Sequence, residues 1–305
     1  MIRMVLGLTA CLMLQASQGW SQSFTRMDSI PTDSFFQMYE FHVDIPVGQT
    51  FVNSGRCHSF HSVRFHLPDR NSRTRIQQDT LGRSLRSRIS MISENTSSYA
   101  SVVNSSSGGQ VVMRGTMSVN EDPARYLTEV RPARNVPTVM SMRLGHGSAW
   151  LDLSDIRARG LDIESSNADV FISYKRPNME KMQVLNINSG MSKVVLRNLE
   201  FARAEKVQVQ NGMGETKIII GKKTYNATSL HIGVGAGKCI MMVHHDVPTK
   251  LILKDNIFSS VEFPDDFMKT GENTYVNLAY KKNPSNALTA VIDLGLGSYQ
   301  LINYR

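Results

Sequence analysis

The sequence predicts an all-β protein in which short strands stack as a parallel, β-helix-like solenoid behind a β-rich N-terminal region. Three observations lead to this prediction. Alternating apolar stretches recur along the 305-residue chain, glycine-containing turns separate them at nearly equal intervals, and no segment has the apolar spacing of a long helix. The chain is 41% hydrophobic and 20% charged, which is the composition of a folded protein with a buried core.

An internal repeat in the C-terminal half carries the solenoid prediction. Each unit contains an alternating apolar strand, a turn with Gly-x-Gly or a polar substitute, and a second apolar strand. The seven matching units begin at Val139, Leu161, Leu185, Val207, Leu230, Leu251 and Ile292. From Leu161 to Leu251 the starts step by 24, 22, 23 and 21 residues. The last step of 41 residues indicates an insertion of about 18 residues before the final unit.

Alternation places the first apolar residues of each unit, such as Leu185 and Ile187, on one face of a strand. One strand pair cannot bury that face, whereas stacked units bury it in a continuous column. We therefore expect a single buried ladder formed by Leu161, Leu185, Val207, Leu230 and Leu251. An antiparallel sandwich or barrel has the same strand pattern, but hairpins explain the equal steps less naturally.

The chain divides into three parts. Residues 1–21 contain Arg3, the apolar stretch Met4–Leu14 and then small and polar residues, which is the pattern of a secretory signal peptide. This stretch is too short to span a bilayer and no later segment is apolar enough, so no transmembrane segment is expected in the mature chain. Residues 22–135 are predicted to form the β-rich N-terminal region, with arginine-rich and Ser/Asn-rich loops, and residues 136–305 the solenoid.

The predicted signal peptide is compatible with two modes of export. Cleavage near Gly19 or Ser21 releases the mature chain. The sequence Leu8-Thr-Ala-Cys11 also fits a lipoprotein cleavage box, which would anchor the chain through Cys11. We favour the first mode, because cleavage before Cys11 leaves a very short hydrophobic stretch. Either mode places the protein in the periplasm, at the outer surface or outside the cell.

Positive charge is concentrated in the N-terminal region. The net charge is +8, and between Arg56 and Arg134 there are twelve arginines, six acidic residues and no lysine. A basic surface on an exported protein meets anionic envelope polymers or lipid head groups rather than nucleic acid. We expect an exposed patch formed by Arg70, Arg73, Arg75, Arg83, Arg86 and Arg88. A solvated face with surplus arginine is the alternative.

Five segments of the C-terminal half carry a family resemblance. They begin Leu185-Asn-Ile-Asn-Ser-Gly-Met, Val207-Gln-Val-Gln-Asn-Gly-Met-Gly, Leu230-His-Ile-Gly-Val-Gly-Ala-Gly, Tyr275-Val-Asn-Leu-Ala-Tyr280 and Asp293-Leu-Gly-Leu-Gly-Ser. Residues from about 139 to 302 thereby resemble the toast-rack domain, an adhesin-like repeat family of exported bacterial proteins that includes the extracytoplasmic part of Lia-type cell-envelope-stress regulators. The resemblance implies a stacked β-solenoid with a binding or sensory role and no catalytic residues. We expect the membrane-spanning part of those regulators to be missing, which argues against direct signalling.

No group of residues predicts catalysis or a cofactor. The one acidic cluster is Asp152, Asp155, Asp162, Glu164 and Asp169. Glycan-cleaving β-helical enzymes use paired carboxylates for Ca²⁺ or for acid/base chemistry. Here Asp162 and Glu164 alternate with apolar residues, as the solvated face of a strand does.

No metal site is predicted either. The segment Cys57-His58-Ser-Phe-His61, followed by His66, contains metal-binding residue types, but one strand sends them to two faces. His244 and His245 are expected on opposite faces for the same reason. Cys57 and Cys239 lie in different predicted domains, so we expect two free buried thiols rather than a disulfide.

The insertion before the last unit supplies the second candidate ligand-binding set, which is Tyr275, Tyr280, Lys281 and Lys282. Aromatic rings beside cations suit sugar rings or an anionic polymer. We favour the competing account for these residues, a cap over the end of the solenoid, since an uncovered end exposes strand edges. The predicted function is that of an exported, non-enzymatic, adhesin-like β-solenoid, a binding or structural module of the bacterial cell envelope. An accessory protein of envelope-stress sensing and a carbohydrate-active β-helix enzyme are the alternatives.

Overall fold

The computed structural model describes eleven stretches of the chain, with gaps between them. They are residues 24–31, 38–53, 60–67, 73–81, 84–92, 97–104, 110–117, 127–134, 136–222, 228–254 and 258–304. The predicted signal peptide with Cys11 lies outside the described residues, and so do Cys57, His58, Arg70 and Arg83.

Strands make up most of the described residues. In chain order they are β1 Phe24–Pro31, β2 Met38–Val52, β3 Phe60–Leu67, β4 Arg73–Leu81, β5 Ser84–Ile92, β6 Ser97–Asn104, β7 Gln110–Met117, β8 Leu127–Arg131, β9 Thr138–Asp152, β10 Ala158–Ser173, β11 Met182–Arg197, β12 Ala204–Ile220, β13 Ser229–His244, β14 Thr249–Lys254, β15 Phe258–Glu262, β16 Phe267–Gly271, β17 Thr274–Asn277 and β18 Leu288–Tyr304. The helices within these stretches are a 3₁₀ helix at Leu199–Ala202 and α1 at Leu278–Lys282. Neither of these helices has the length and apolar character needed to cross a membrane. The all-β prediction is confirmed.

The central strands stack in parallel as rungs of a solenoid. The spatial order of the rungs is β2, β9, β10, β11, β12, β13, β18 and β14. After β14, β15 continues the last rung alongside the second half of β18. This arrangement confirms the predicted β-helix-like stack, because each of these pairs is parallel and joins one unit to another.

Each full rung is one bent strand of 15–17 residues, where the sequence predicted two strands and a turn. In β10 the buried side chains fall at odd positions from Leu161 to Ser165 and at even positions from Ala168 onward. Both arms therefore turn the same face inward, and the core lies between them. Five rungs, β2, β9, β12, β13 and β18, turn at a glycine with a positive φ, for example 138° at Gly237, whereas β10 and β11 turn without one.

The predicted buried ladder is present. Leu161, Leu185, Val207 and Leu230 are register partners on successive rungs, and each is at most 1% exposed. The partner of Leu230 is Ala290 of β18, however, and Leu251 comes only after it. The last repeat unit of the sequence is thus inserted between the two units that precede it. The 17-residue β18 pairs with both arms of β13, which the short β14 could not do alone.

The sheet extends into the N-terminal region. β2 carries a strand, Gly48 and a second strand, and it pairs in parallel register with β9 from Tyr39 to Val52, so it forms the first rung. β5 and β8 pair with the first and second halves of β2. β4 pairs with β5, and β3 joins β8 to β1. β6 and β7 form a separate two-stranded sheet. The division of the chain near residue 135 stays a prediction.

Candidate functional site

A cleft of about 440 Å³ lies where the insertion folds back onto the last rung. It contains side chains from β14, from the β16–β17 hairpin, and from α1 with the turn after it. These lining residues are Lys250, Thr270, Gly271, Thr274, Val276, Tyr280, Lys281 and Pro284. The cleft exists because β17 pairs antiparallel with β14, which sets Val276 beside Lys250.

Asn277 fixes the helix of the insertion against the solenoid. Its side chain is buried at the N-terminus of α1, where its Oδ1 accepts hydrogen bonds from the backbone N–H of Tyr280 at 2.9 Å and of Thr249 at 3.0 Å. Its Nδ2 donates to the carbonyl oxygen of Val247 at 2.8 Å. Asn277, the asparagine of the Tyr-x-Asn-x-x-Tyr segment, therefore holds Tyr280 and Lys281 over the last rung.

The electrostatic character of the cleft is positive. Lys250 and Lys281 supply two ammonium groups, and neither forms an ion pair with any described residue. The Lys281 Nζ instead lies 3.1 Å from the Sδ of Met268. None of the described residues that line the cleft is acidic. Two threonine side chains and the Tyr280 ring complete a surface that suits an anionic ligand with hydroxyl groups.

The structure separates the four predicted residues of the insertion. Tyr280 and Lys281 line the cleft, whereas Tyr275 lies on β17 and stacks against Phe263, with ring centroids 4.3 Å apart. Lys282 is exposed on α1 and does not line the cleft. Sequence reasoning missed Lys250, because an outward lysine on an alternating strand looks like any solvated position, and only the β14–β17 pairing brings it to the cleft.

Only part of the predicted arginine patch lies among the described residues. Arg75 on β4 and Arg88 on β5 are exposed on a pair of antiparallel strands. Arg86 is half-buried, and its Nε donates to the Oε2 of Glu40 at 2.9 Å. Arg73 begins β4, and the remaining two arginines lie outside the described residues. One of the three side chains that can be described is therefore engaged within the fold.

The pKa of His42 is affected by the charged side chains around it. His42 is the register partner of Arg88 on the neighbouring strand. Burial lowers the pKa of His42 below its ordinary 6.5, and the guanidinium groups of Arg86, Arg88 and Arg143 lower it further, against an opposing effect of Glu40. Arginine side chains therefore lie close to His42 on the outer face of β2 and β5.

Every carboxylate of the acidic cluster has a partner within the stack. Asp152 pairs with Lys175 at 2.7 Å, Glu164 pairs with Arg143 at 3.0 Å, and Asp155 pairs with Arg176. The other two accept hydrogen bonds across rungs: Asp162 from Asn186 at 2.6 Å and Asp169 from the Lys193 amide at 2.8 Å.

The pKa of Asp152 also indicates a carboxylate engaged in structural contacts. Burial raises it, but hydrogen bonds from Lys175 and Ser154 outweigh burial, so the pKa falls below its usual 3.8. A general acid needs the opposite shift. The paired carboxylates of this cluster therefore serve as cross-rung contacts.

The histidine pair departs from its predicted placement. β13 ends at His244 and the chain turns there, so alternation no longer applies, and the rings of His244 and His245 stack with centroids 4.5 Å apart. Asp246 completes a group whose ligand atoms all lie within 4.8 Å of one another. The expectation that the two histidines point to opposite faces is wrong.

The remaining sulfur and histidine candidates form no such group among the described residues. Cys239 is a free, fully buried thiol, and burial raises its pKa to about 12. His66 lies on β3 with its Nδ1 2.9 Å from the hydroxyl of Thr25. The part of the cysteine–histidine segment at Cys57 and His58 lies outside the described residues.

The likeness of this chain to known proteins is low in sequence. No protein-family model matches the chain, and no curated protein matches it. Solved structures that are similar to it include three proteins described as candidates for cell adhesion. A candidate cell adhesion protein from Clostridium sporogenes ATCC 15579 is 14% identical with a TM-score of 0.42, over 92% of this chain and 100% of that one.

The other two are candidate adhesins. The protein from Bacteroides fragilis NCTC 9343 is 11% identical with a TM-score of 0.40, over 93% of this chain and 99% of that one. The protein from Parabacteroides merdae ATCC 43184 is 12% identical with a TM-score of 0.30, over 92% of this chain and 96% of that one. Likenesses at this level assign no ligand, and the resemblance to the toast-rack family stays a prediction.

Proposed function

We propose that this protein is an exported, non-enzymatic, adhesin-like binding module of the bacterial cell envelope that holds an acidic polysaccharide in the cleft between the last rung and the insertion. The observation that carries the proposal is the pair Lys250 and Lys281, which face one cleft with no carboxylate among its lining residues. Export is inferred from the signal-peptide pattern of residues 1–21.

The shape and chemistry of the cleft support a sugar polymer over a small ion. A volume of about 440 Å³ accommodates more than one sugar residue, and its open side lets a chain continue past it. Thr270 and Thr274 offer hydroxyl groups to sugar hydroxyls, and the Tyr280 ring offers an apolar surface. The two ammonium groups then select an acidic polymer from neutral ones.

A binding role without catalysis is supported by the acidic residues. Hydrolysis of a glycosidic bond needs two carboxylates about 5 to 10 Å apart, one of them with a raised pKa. The cleft has no carboxylate among its described lining residues. The carboxylates of the acidic cluster that includes Asp152 form contacts between rungs. Neither place therefore supports the second alternative, a carbohydrate-active enzyme.

The arginine face supplies a second contact for the same class of polymer. Arg75 and Arg88 are exposed on paired strands beyond the first rung, and that rung itself lies seven strand spacings, or about 34 Å, from β14. An extended anionic polymer or a surface of lipid head groups meets both ends of the stack. Separate substitutions at the two ends distinguish their contributions.

The test measures binding of the exported, purified chain to immobilised polygalacturonate and dextran sulfate, with neutral dextran as the reference. The double variant Lys250→Gln/Lys281→Gln is expected to bind the acidic polymers at least tenfold more weakly, because two charge-assisted contacts are lost. Lys282→Gln is the matched control, since it removes a neighbouring exposed lysine that does not line the cleft. Binding should weaken as salt rises.

Arg75→Gln/Arg88→Gln tests the second contact on the same polymers. A cleft variant and a control that bind equally well would overturn the cleft assignment. Equal retention of wild-type protein on neutral dextran would overturn the selection for acidic polymers. Release of new reducing ends from the polymer over time would overturn the non-enzymatic part of the proposal.

A further inference from the structure

We propose that His244, His245 and Asp246 form a binding site for Zn²⁺ at the turn between β13 and β14. No part of the proposed polysaccharide function uses these residues. The chain brings two imidazoles and a carboxylate together here, which is a ligand set found in zinc sites that keep a fourth position for water.

The distances between the ligand atoms fit one ion. The Nε2 of His245 lies 3.1 Å from the Oδ1 of Asp246, and the Nδ1 of His244 lies 3.9 Å from its Oδ2. Two ligands of a tetrahedral zinc ion, each about 2.0–2.1 Å from the metal, are separated by about 3.3 Å. Small rotations of partly exposed side chains therefore bring the three ligand atoms around one ion.

The fold holds His245 in the orientation that a ligand needs. Its backbone N–H donates to the carbonyl oxygen of Tyr304 at 3.0 Å, and its Nδ1 lies 3.3 Å from the same oxygen. A carbonyl only accepts hydrogen bonds, so Nδ1 carries a proton, and Nε2 is the nitrogen on which a metal ion can take the place of a proton shared with Asp246. Metal-binding histidines are commonly oriented by such a bond from the other ring nitrogen.

The remaining contacts place the site on a rigid frame. The Tyr304 ring meets His244 edge to face, with centroids 5.6 Å apart, and its hydroxyl donates to the carbonyl oxygen of Ile220 at 2.9 Å. The site thus connects the ends of β12, β13 and β18. The His244 Nδ1 accepts a hydrogen bond from the Asp246 amide at 3.2 Å, and water can replace that bond in this exposed turn when the nitrogen binds metal.

Lys222 is the cation that pairs with this group in the metal-free fold. Its Nζ lies 3.0 Å from the Oδ2 of Asp246, and its side chain is 69% exposed, so it can swing into solvent. A divalent ion replaces the ammonium group and gains two nitrogen ligands that the lysine cannot use. Removal of Lys222 should therefore strengthen zinc binding, whereas removal of a ligand should weaken it.

The experiment is isothermal titration of ZnCl₂ into the full exported chain, purified without a histidine tag and freed of metal with EDTA. One Zn²⁺ per chain is expected at this site. His245→Ala and Asp246→Asn should each weaken its binding at least tenfold, and Lys222→Met should strengthen it. His231→Ala is the matched control, because His231 lies on the same strand and bonds to Ser229 instead.

MgCl₂ should give no comparable binding, because Mg²⁺ prefers an all-oxygen shell. Zinc should also raise the melting temperature of the wild-type chain and not that of Asp246→Asn, since binding stabilises only the folded state. Absence of zinc binding by the wild-type chain would overturn the proposal. So would zinc affinity that neither His245→Ala nor Asp246→Asn reduces.

Discussion

The middle rungs and the last rung of this solenoid follow different rules. β10 to β13 each pair along both arms with both neighbours, and their corners coincide from rung to rung. The last rung is split into β14 and β15, and its outer edge is paired with the short β17. In the regular part of the stack, pairing with the rungs on both sides determines where almost every residue of a rung lies. Where it breaks, side chains such as Lys250 and Asp246 lie within reach of a ligand.

The largest effect is expected from the corner of a middle rung. Gly237 has a φ of 138°, and a Cβ there would lie 2.0 Å from the carbonyl oxygen of Gly214 on the adjacent rung. Gly237→Ala should lower the free energy of unfolding by at least about 3 kcal/mol, because both the backbone strain and a backbone clash must be relieved.

Gly160→Ala is the matched control inside the stack, since a Cβ there would make only ordinary contacts, 3.5 Å from the Val139 side chain and 4.0 Å from the carbonyl oxygen of Val184. Its effect in urea denaturation should stay within about 1 kcal/mol. Similar losses for the two variants would mean that the corner does not depend on glycine.

The buried ladder should respond next most strongly. Leu230→Ala removes a fully buried side chain between Val207 and Ala290 and should cost about 2–5 kcal/mol in urea denaturation. Leu278→Ala provides the contrast in the insertion, because Leu278 is 53% exposed, and its cost should stay within about 0.5 kcal/mol. Equal costs would show that the insertion shares the core of the middle rungs.

Asn277 tests how the insertion is attached to the last rung. Asn277→Ala leaves the buried amide of Thr249 without its partner and removes one of the two side-chain hydrogen bonds to the carbonyl oxygen of Val247, which should cost about 1–3 kcal/mol. The variant should also bind acidic polymer more weakly, since Tyr280 and Lys281 lose their anchor. Asn283→Ala removes an exposed asparagine at the other end of α1 and should change neither quantity. Full polymer binding by Asn277→Ala would contradict this account.

The smallest effect concerns the connection between two middle rungs. Burial raises the pKa of Glu200, against an opposing hydrogen bond from the Gly221 amide at 2.8 Å. A carboxyl whose pKa is raised by folding destabilises the fold once it ionises, so its unfavourable effect appears as the pH rises through the raised pKa. Glu200→Gln keeps an acceptor for Gly221 and should raise the melting temperature at pH 7, but not near pH 4.

Glu272→Gln, at an exposed turn of the insertion, is the control and should leave the melting temperature unchanged at both pH values. A lower melting temperature for Glu200→Gln at pH 7 would mean that the charge of Glu200 favours the middle of the stack.

Much of the site followed from signals that a sequence can carry, and part of it did not. The insertion was visible as a 41-residue step, and Tyr280 and Lys281 were within it. Lys250 had no local signal, because its role depends on a strand 26 residues later. His244 and His245 were misplaced because alternation was extended past the point where β13 ends.

The sequence by itself determined the all-β class, the rung length and the buried ladder. Alternation and glycine act locally, over two residues or one corner, so they can be read without knowing what lies next to a strand. The tertiary structure decided that β2 is the first rung and that β18 enters between β13 and β14. Several strands of similar pattern could fill those places, and only pairing length and the path of the insertion choose among them. The cleft and the histidine turn depend on that choice, which is why both lie where the repeat ends.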